Sequence, residues 1–379
     1  MRSNKLIAIL VLLAVFVPLL PGCIGGGDVN IGVYEPMTGS SAAGGQMTYE
    51  GIQLANELFP EVLGKKVRLF LEDNKTDKSE AANAVARLID QKKVVAIIGS
   101  YGSSLSIAGG NVAKTKQIPV VGCSPTNPLV TKGNDFYFRV CFIDPFQGRV
   151  MAKYAIDNLK AKTAAIIKNV QDDYAVGLAN YFKEAFISLT KDPKAVLGEL
   201  EYNTGDQDFT AQLTKTASLK PDVIFAPGNY GDSALMIRQA RTLRITVPFL
   251  GGDTWEAPEF MSIGKEAVEG ATFSTHYSVQ AAPIDASKKF VDAYKKKFNK
   301  DPNAFAALGY DAYMVILEAI RVAGKAEPLA IKDALVKTKG FKGATGTITM
   351  DANRDANKSA VILQVKGGKF QYLTTVEPF

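Results

Sequence analysis

The chain has 379 residues, 47% of them hydrophobic and 22% charged, a balance that excludes a disordered, collagenous or disulfide-scaffold protein. At about 150 residues per domain, the length suggests two domains. One histidine leaves no second partner for an H-E-x-x-H zinc site or a His-rich metal cluster, and no triad motif surrounds it, so no metal or cofactor is expected.

The first segment addresses the chain rather than folding with it. Residues 1–5 carry two positive charges, and fifteen uncharged residues run from Leu6 to Leu20. That run is short of the roughly 20 a membrane-spanning helix needs but suits a signal-peptide core. Leu20-Pro21-Gly22-Cys23 resembles a lipobox, with residues 1–22 as signal, Cys23 as the lipidated residue and 23–28 as a tether. A plain secretory peptide cut a few residues later is the alternative. Loss of residues 1–22 leaves 42 basic against 38 acidic side chains, a net charge of +4 in place of +6. The densest basic run, Lys295 to Lys297, lies in an amphipathic helical stretch, where a solvated face explains it without nucleic acid. Cys123 and Cys141 read equally as a pair or as two independent buried thiols.

From Val29 onward, short apolar runs alternate with helical stretches. Strands are expected at 29–34, 67–73, 94–100 and 118–124, with helices between them and Asp77 and Glu80 at capping-box spacing. After a break at 138–148 the rhythm restarts, with strands at 163–169, 221–228, 247–253 and 270–278. A long helix follows, carrying Leu308, Ala312, Val315, Ile316, Ala319, Ile320 and Ala323 on one stripe and ending at Gly324. The last segments read as antiparallel strands. The result is two successive α/β units, each a doubly wound parallel sheet, with no disordered linker between them.

In such sheets ligands bind beyond the carboxyl ends of the strands. Four of those ends are small, polar or aromatic: Gly99 to Ser104, Ser124 to Pro128, Asn229-Tyr230, and Asp253 with Trp255. The first is a glycine-rich turn entering a helix, suited to a carboxylate but lacking any nucleotide-binding pattern. Asp253 is placed to meet a cation, Trp255 serves either a pocket or the core, and His276 reads as a structural residue near a domain crossing. A carboxylate-binding helix end facing an acid makes a zwitterion pocket.

The blocks NIGVYEPMTGSSAAGGQMTYEGIQLA, VVAIIGSYGSSLS, IPVVGCSPTNPLVT and YFRVCFIDPFQG, in this order, resemble the leucine/isoleucine/valine-binding proteins. These are type I periplasmic ligand-binding proteins that feed ATP-binding-cassette importers. The resemblance implies a Venus-flytrap of two lobes joined by a three-stranded hinge. Lobe 1 would take 29–141 plus 277–345 and lobe 2 would take 142–276 plus 346–379, with crossings near Val140–Pro145, Phe273–Ser278 and Thr345–Ile348. It also implies that Ser103 and Thr126 bind a ligand carboxylate, that Ser124 offers its carbonyl to the ammonium, and that Asp253 stands where the family has the ammonium-pairing Glu. Tyr174 and Tyr230 are implied as contacts from the second lobe, with Tyr101 and Gly102 beside the pocket. Gly44 replaces an aromatic pocket residue, leaving space that Trp255 is placed to fill. The implied activity is capture of a neutral amino acid for membrane permease subunits, outside the cytoplasm and anchored by lipid. An amide, urea or aromatic-acid binder, a sensor and a secreted hydrolase are the rivals.

Overall fold

The computed structural model describes residues 27–281 and 284–378; the signal segment and Cys23 lie outside the described residues. Two sheets organise it. The first joins β1 (Val29–Glu35), β2 (Glu61–Val62), β3 (Lys65–Asp73), β4 (Ala96–Ile98), β5 (Val120–Gly122) and β6 (Tyr137–Arg139) in the order β2-β3-β1-β4-β5-β6. All its pairings are parallel except the short β2 edge. β1 is buried almost throughout because helices cover both faces of the sheet.

Those helices are α1 (Ala42–Leu58), α2 (Lys78–Asp90) and α3 (Ser103–Thr115), joined later by a long helix described below. Asp77 caps α2 by accepting the Glu80 N–H at 2.8 Å. β6 and the helix that follows it, α4 (Asp144–Asp157), occupy the stretch where the sequence shows only a break.

The second sheet contains β7 (Ala164–Asn169), β8 (Val196–Tyr202), β9 (Val223–Phe225), β10 (Phe249–Gly251) and β11 (Thr272–Thr275), all parallel. Around them lie α5 (Asp173–Thr190), α6 (Thr210–Leu219), α7 (Tyr230–Thr242) and α8 (Pro258–Gly264). β8 and α6 carry no clear sequence pattern, because β8 is an edge strand buried only in part.

The chain then returns to the first lobe with α9 (Asp285–Phe298), α10 (Ala304–Ala323) and α11 (Pro328–Leu335). The α10 stripe read from the sequence packs into one core with Val29, Ile31 and Val33 of β1. Gly51 and Gly309 let α1 and α10 approach closely, since a Cβ at either would overlap backbone of the other helix. β12 (Phe341–Gly343) and β13 (Gly346–Ile348) form a hairpin, and Ile348, Met350 and Ala356 still pack in the first core.

Only at β14 (Ala360–Lys366) does the chain enter the second sheet, antiparallel to β11, and β15 (Lys369–Val376) completes the edge. The turn between them uses Gly367 and Gly368, both at positive φ, as a two-residue hairpin favours. The chain therefore passes between lobes at 140–143, at His276 and at 357–359; the third passage does not fall at Thr345–Ile348 as expected, because Ile348, Met350 and Ala356 stay in the first core. Cys123 and Cys141 are both free and buried, and burial pushes both thiols up.

Candidate functional site

The carboxyl ends of both parallel sheets face one another across a cavity of about 130 Å3. A single water needs roughly 10–15 Å3, so the space suits a small organic solute. One wall comes from the first lobe, with Lys78, Tyr101, Gly102, Ser103, Ser104 and Ser124 among its residues. The other comes from the second, with Tyr174, Asn229, Asp232, Asp253 and Thr254 among its residues.

The glycine-rich turn is built from beneath. Glu35, at the end of β1, accepts the Tyr101 N–H at 2.6 Å, and Asn74 donates to Ser100 Oγ at 2.9 Å. Gly102 sits at φ 87 and begins α3 with no side-chain cap, so the first N–H groups of α3 meet the cavity unclaimed by a cap. Ser103 Oγ accepts the Asn127 N–H at 3.1 Å, which ties the turn to the loop after β5. Ser124 Oγ and the Tyr101 hydroxyl are buried on this wall without a hydrogen-bond partner. Burial pushes the Tyr101 hydroxyl well up.

On the facing wall, Asp253 is almost fully buried and accepts from three side chains. Gln147 Nε2 and the Tyr174 hydroxyl both donate to Oδ1 at 2.9 Å, and His276 Nε2 lies 3.1 Å from Oδ2. Two helices that begin at this wall, α5 and α7, are capped by side chains, unlike α3. Asp172 accepts the Tyr174 N–H, and Asn229 accepts the Tyr230 N–H. The open helix end and the acid therefore belong to opposite walls, which separates an anion-binding pole from a cation-binding pole. Burial raises Asp172, and burial with the charge of Asp172 pushes Asp232 up to about 6.

Of the residues singled out from the sequence, Tyr101, Gly102, Ser103, Ser124, Tyr174 and Asp253 line the cavity together. Thr126 does not line it; its backbone carbonyl accepts the Asp144 N–H at 2.9 Å. Tyr230 does not line it either, because its hydroxyl accepts the Ala43 N–H of the first lobe at 3.2 Å. Trp255 lies in the core instead of the pocket. Gly251 leaves room for its indole, which stacks on Phe260 at 4.8 Å. The space above Gly44 is occupied by the ring of Tyr101, from the same lobe.

Gln147, Asn127 and Glu35 were not identified from the sequence. They act by orienting other groups, and only the fold makes them neighbours of the site. Among the described residues no three His, Cys, Asp or Glu side chains are placed to hold a metal, and no helix is long and apolar enough to cross a membrane.

Two facing α/β lobes with a cavity between them define a solute-binding protein. Residues 28–369 match the family model "Periplasmic binding protein", and the chain belongs to that family, one of solute-binding proteins rather than enzymes. It is 30% identical to the Leu/Ile/Val-binding protein BraC3 of Rhizobium johnstonii, over 96% of this chain and 97% of the relative. Its fold is similar to that of the leucine binding protein LivK from Thermotoga maritima, at 47% identity and TM-score 0.90, covering 92% of this chain and 99% of that one. The branched-chain amino acid transporter substrate binding protein LivJ from Streptococcus pneumoniae, solved with isoleucine, is similar at 32% identity and TM-score 0.86, over 93% and 100% of the two chains.

Proposed function

We propose that this chain captures a neutral, branched-chain α-amino acid between its lobes and delivers it to the permease subunits of an ATP-binding-cassette importer. The observation that carries the reading is one cavity with an uncapped helix end and Ser103 on one wall and Asp253 on the other. The ligand carboxylate meets α3, and the ammonium meets Asp253 and the Ser124 carbonyl. A ligand that touches both walls binds the closed arrangement better and shifts the population toward it. A ligand lacking either charge leaves a buried partner unsatisfied. Lipid attachment at Cys23 and an extracytoplasmic site belong to the same proposal, supported by the uncharged run before it.

Calorimetry across amino acids, amides and aromatic acids tests the reading. Leucine, isoleucine or valine is expected to bind, with Asp253→Ala and Ser103→Ala each weakening it, Asp253→Ala by about 100-fold or more because a charge pair is lost. Response to another ligand class alone overturns the proposal. Undiminished affinity in Asp253→Ala overturns the assignment of the ammonium pole.

A further inference from the structure

The single histidine of the chain stands where the ligand acid meets the hinge. We infer that His276 is a positioning residue that holds the Asp253 carboxylate toward the ligand from within the hinge, an inference that rests on Asp253 receiving the ligand ammonium. His276 occupies the second passage between the lobes and is buried. Its Nε2 lies 3.1 Å from Asp253 Oδ2. A carboxylate only accepts, so the proton belongs on Nε2. Its Nδ1 is buried without a partner. Burial lowers the basicity of the ring, with the hydrogen bond and charge of Asp253 opposing, and the charge of Lys358 adds to the lowering.

The first passage packs on the same ring. Phe142, in the first, packs against the imidazole with centroids 3.9 Å apart and planes tilted 33°. Lys358, in the third, acts on it through its charge. The first passage thus packs on, and the second carries, the one side chain whose polar edge meets the binding-site acid. A purely apolar ring would stack on Phe142 as well and leave no buried nitrogen unsatisfied, so packing alone does not account for an imidazole here. Gln147 Nε2 and Tyr174 hold Oδ1 from the same lobe, and His276 holds Oδ2 from the hinge. The carboxylate is thereby fixed within its own lobe at Oδ1 and tied to the hinge at Oδ2.

A lone histidine gives a direct spectroscopic readout, since histidine-selective 15N labelling yields one imidazole. The full soluble chain is expected to show the Nε2–H tautomer at neutral pH. The Nε2 resonance should move on saturation with leucine, and should move in Asp253→Asn without ligand. His276→Phe keeps a ring on Phe142 and removes the donor, and should bind leucine about 10-fold or more weakly, as loss of a hydrogen bond to a charged group predicts. His276→Gln restores an amide donor and should recover most of that loss. Leucine binding in His276→Phe equal to the parent, with a resonance indifferent to ligand, overturns the inference and leaves the site reading intact. Failure of the parent to bind leucine overturns the site reading and the inference with it. If His276→Phe does not fold, His276→Gln and the resonance decide: a bound-state shift with retained affinity upholds the inference, and no shift overturns it.

Discussion

At the scale of single residues, the cavity owes its shape to an exchange between Gly44 and Tyr101. A side chain at position 44 would overlap the Tyr101 ring, which also packs edge-on against Phe305 at 5.0 Å. The aromatic surface that the resemblance places on α1 comes here from the turn after β4. Gly44→Ala is therefore expected to push the Tyr101 ring out of place and destabilise the chain by about 1–3 kcal/mol, the usual cost of overpacking. Thermal unfolding measures this directly, and a midpoint equal to the parent's would refute the packing argument. Tyr101 and Gly102 were legible as pocket residues because the turn itself is glycine-rich. The filling of Gly44's space by Tyr101 was not, since it depends on two segments 57 residues apart in sequence being brought together by parallel pairing of β1 and β4.

At the scale of elements, the start of α10 meets a carboxylate of the other lobe. Glu256 follows the short helical turn Asp253–Trp255, and its Oε1 accepts the Ala304 N–H at 3.0 Å. Thr275 also donates to it. Burial outweighs these donors and pushes its carboxyl up to about 7, against an ordinary value of 4.5. Hydration of Glu256 on lobe separation would lower that value, so closure is expected to take up a proton below about pH 7. Rising pH through that window opposes closure. Ligand affinity should fall as pH rises from about 5 to 8, and Glu256→Gln should flatten the profile; a slope of opposite sign in calorimetry would exclude Glu256 as its source. The sign differs for His276. Its lowered basicity makes the folded chain lose stability as pH falls below the ordinary histidine value of 6.5 toward the folded one.

At the scale of the whole molecule, the lobes meet through several small polar contacts. Ser104 Oγ accepts the Asp173 N–H at 2.9 Å and lies 3.0 Å from Asp172 Oδ1. Asn127 Nδ2 donates to the Asp173 carbonyl at 2.6 Å, and Asn229 Nδ2 donates to Ser41 Oγ at 2.8 Å. Lys78 bridges to Asp173 at 3.0 Å, but both side chains are well exposed, at 53% and 39%. Exposed pairs of this kind contribute little, so although Lys78 also lines the cavity, Lys78→Ala should change ligand release by no more than about threefold. Ser104→Ala removes a buried link and should release ligand about 5–10-fold faster. Stopped-flow release rates distinguish the two, and equal effects would contradict the burial argument. Small-angle scattering should show a smaller radius of gyration when the amino acid binds, and an unchanged radius would contradict closure.

The order of strands and helices, the stripe of α10 and the polar strand ends were determined by the sequence alone. Periodicity and capping are local, and a buried parallel strand is apolar whatever its partners. Edge and short elements such as β8, β6 and β2 escaped it, because their side chains are only partly buried or their runs too brief to show a period. What the tertiary structure alone decided is which polar groups share a wall. Tyr230 turns to hold backbone of the other lobe, Trp255 joins a core stack, and Gln147 and His276 converge on Asp253 from 106 and 23 residues away. The direction of a side chain at a strand end depends on neighbours brought by distant segments, and no local pattern carries that information.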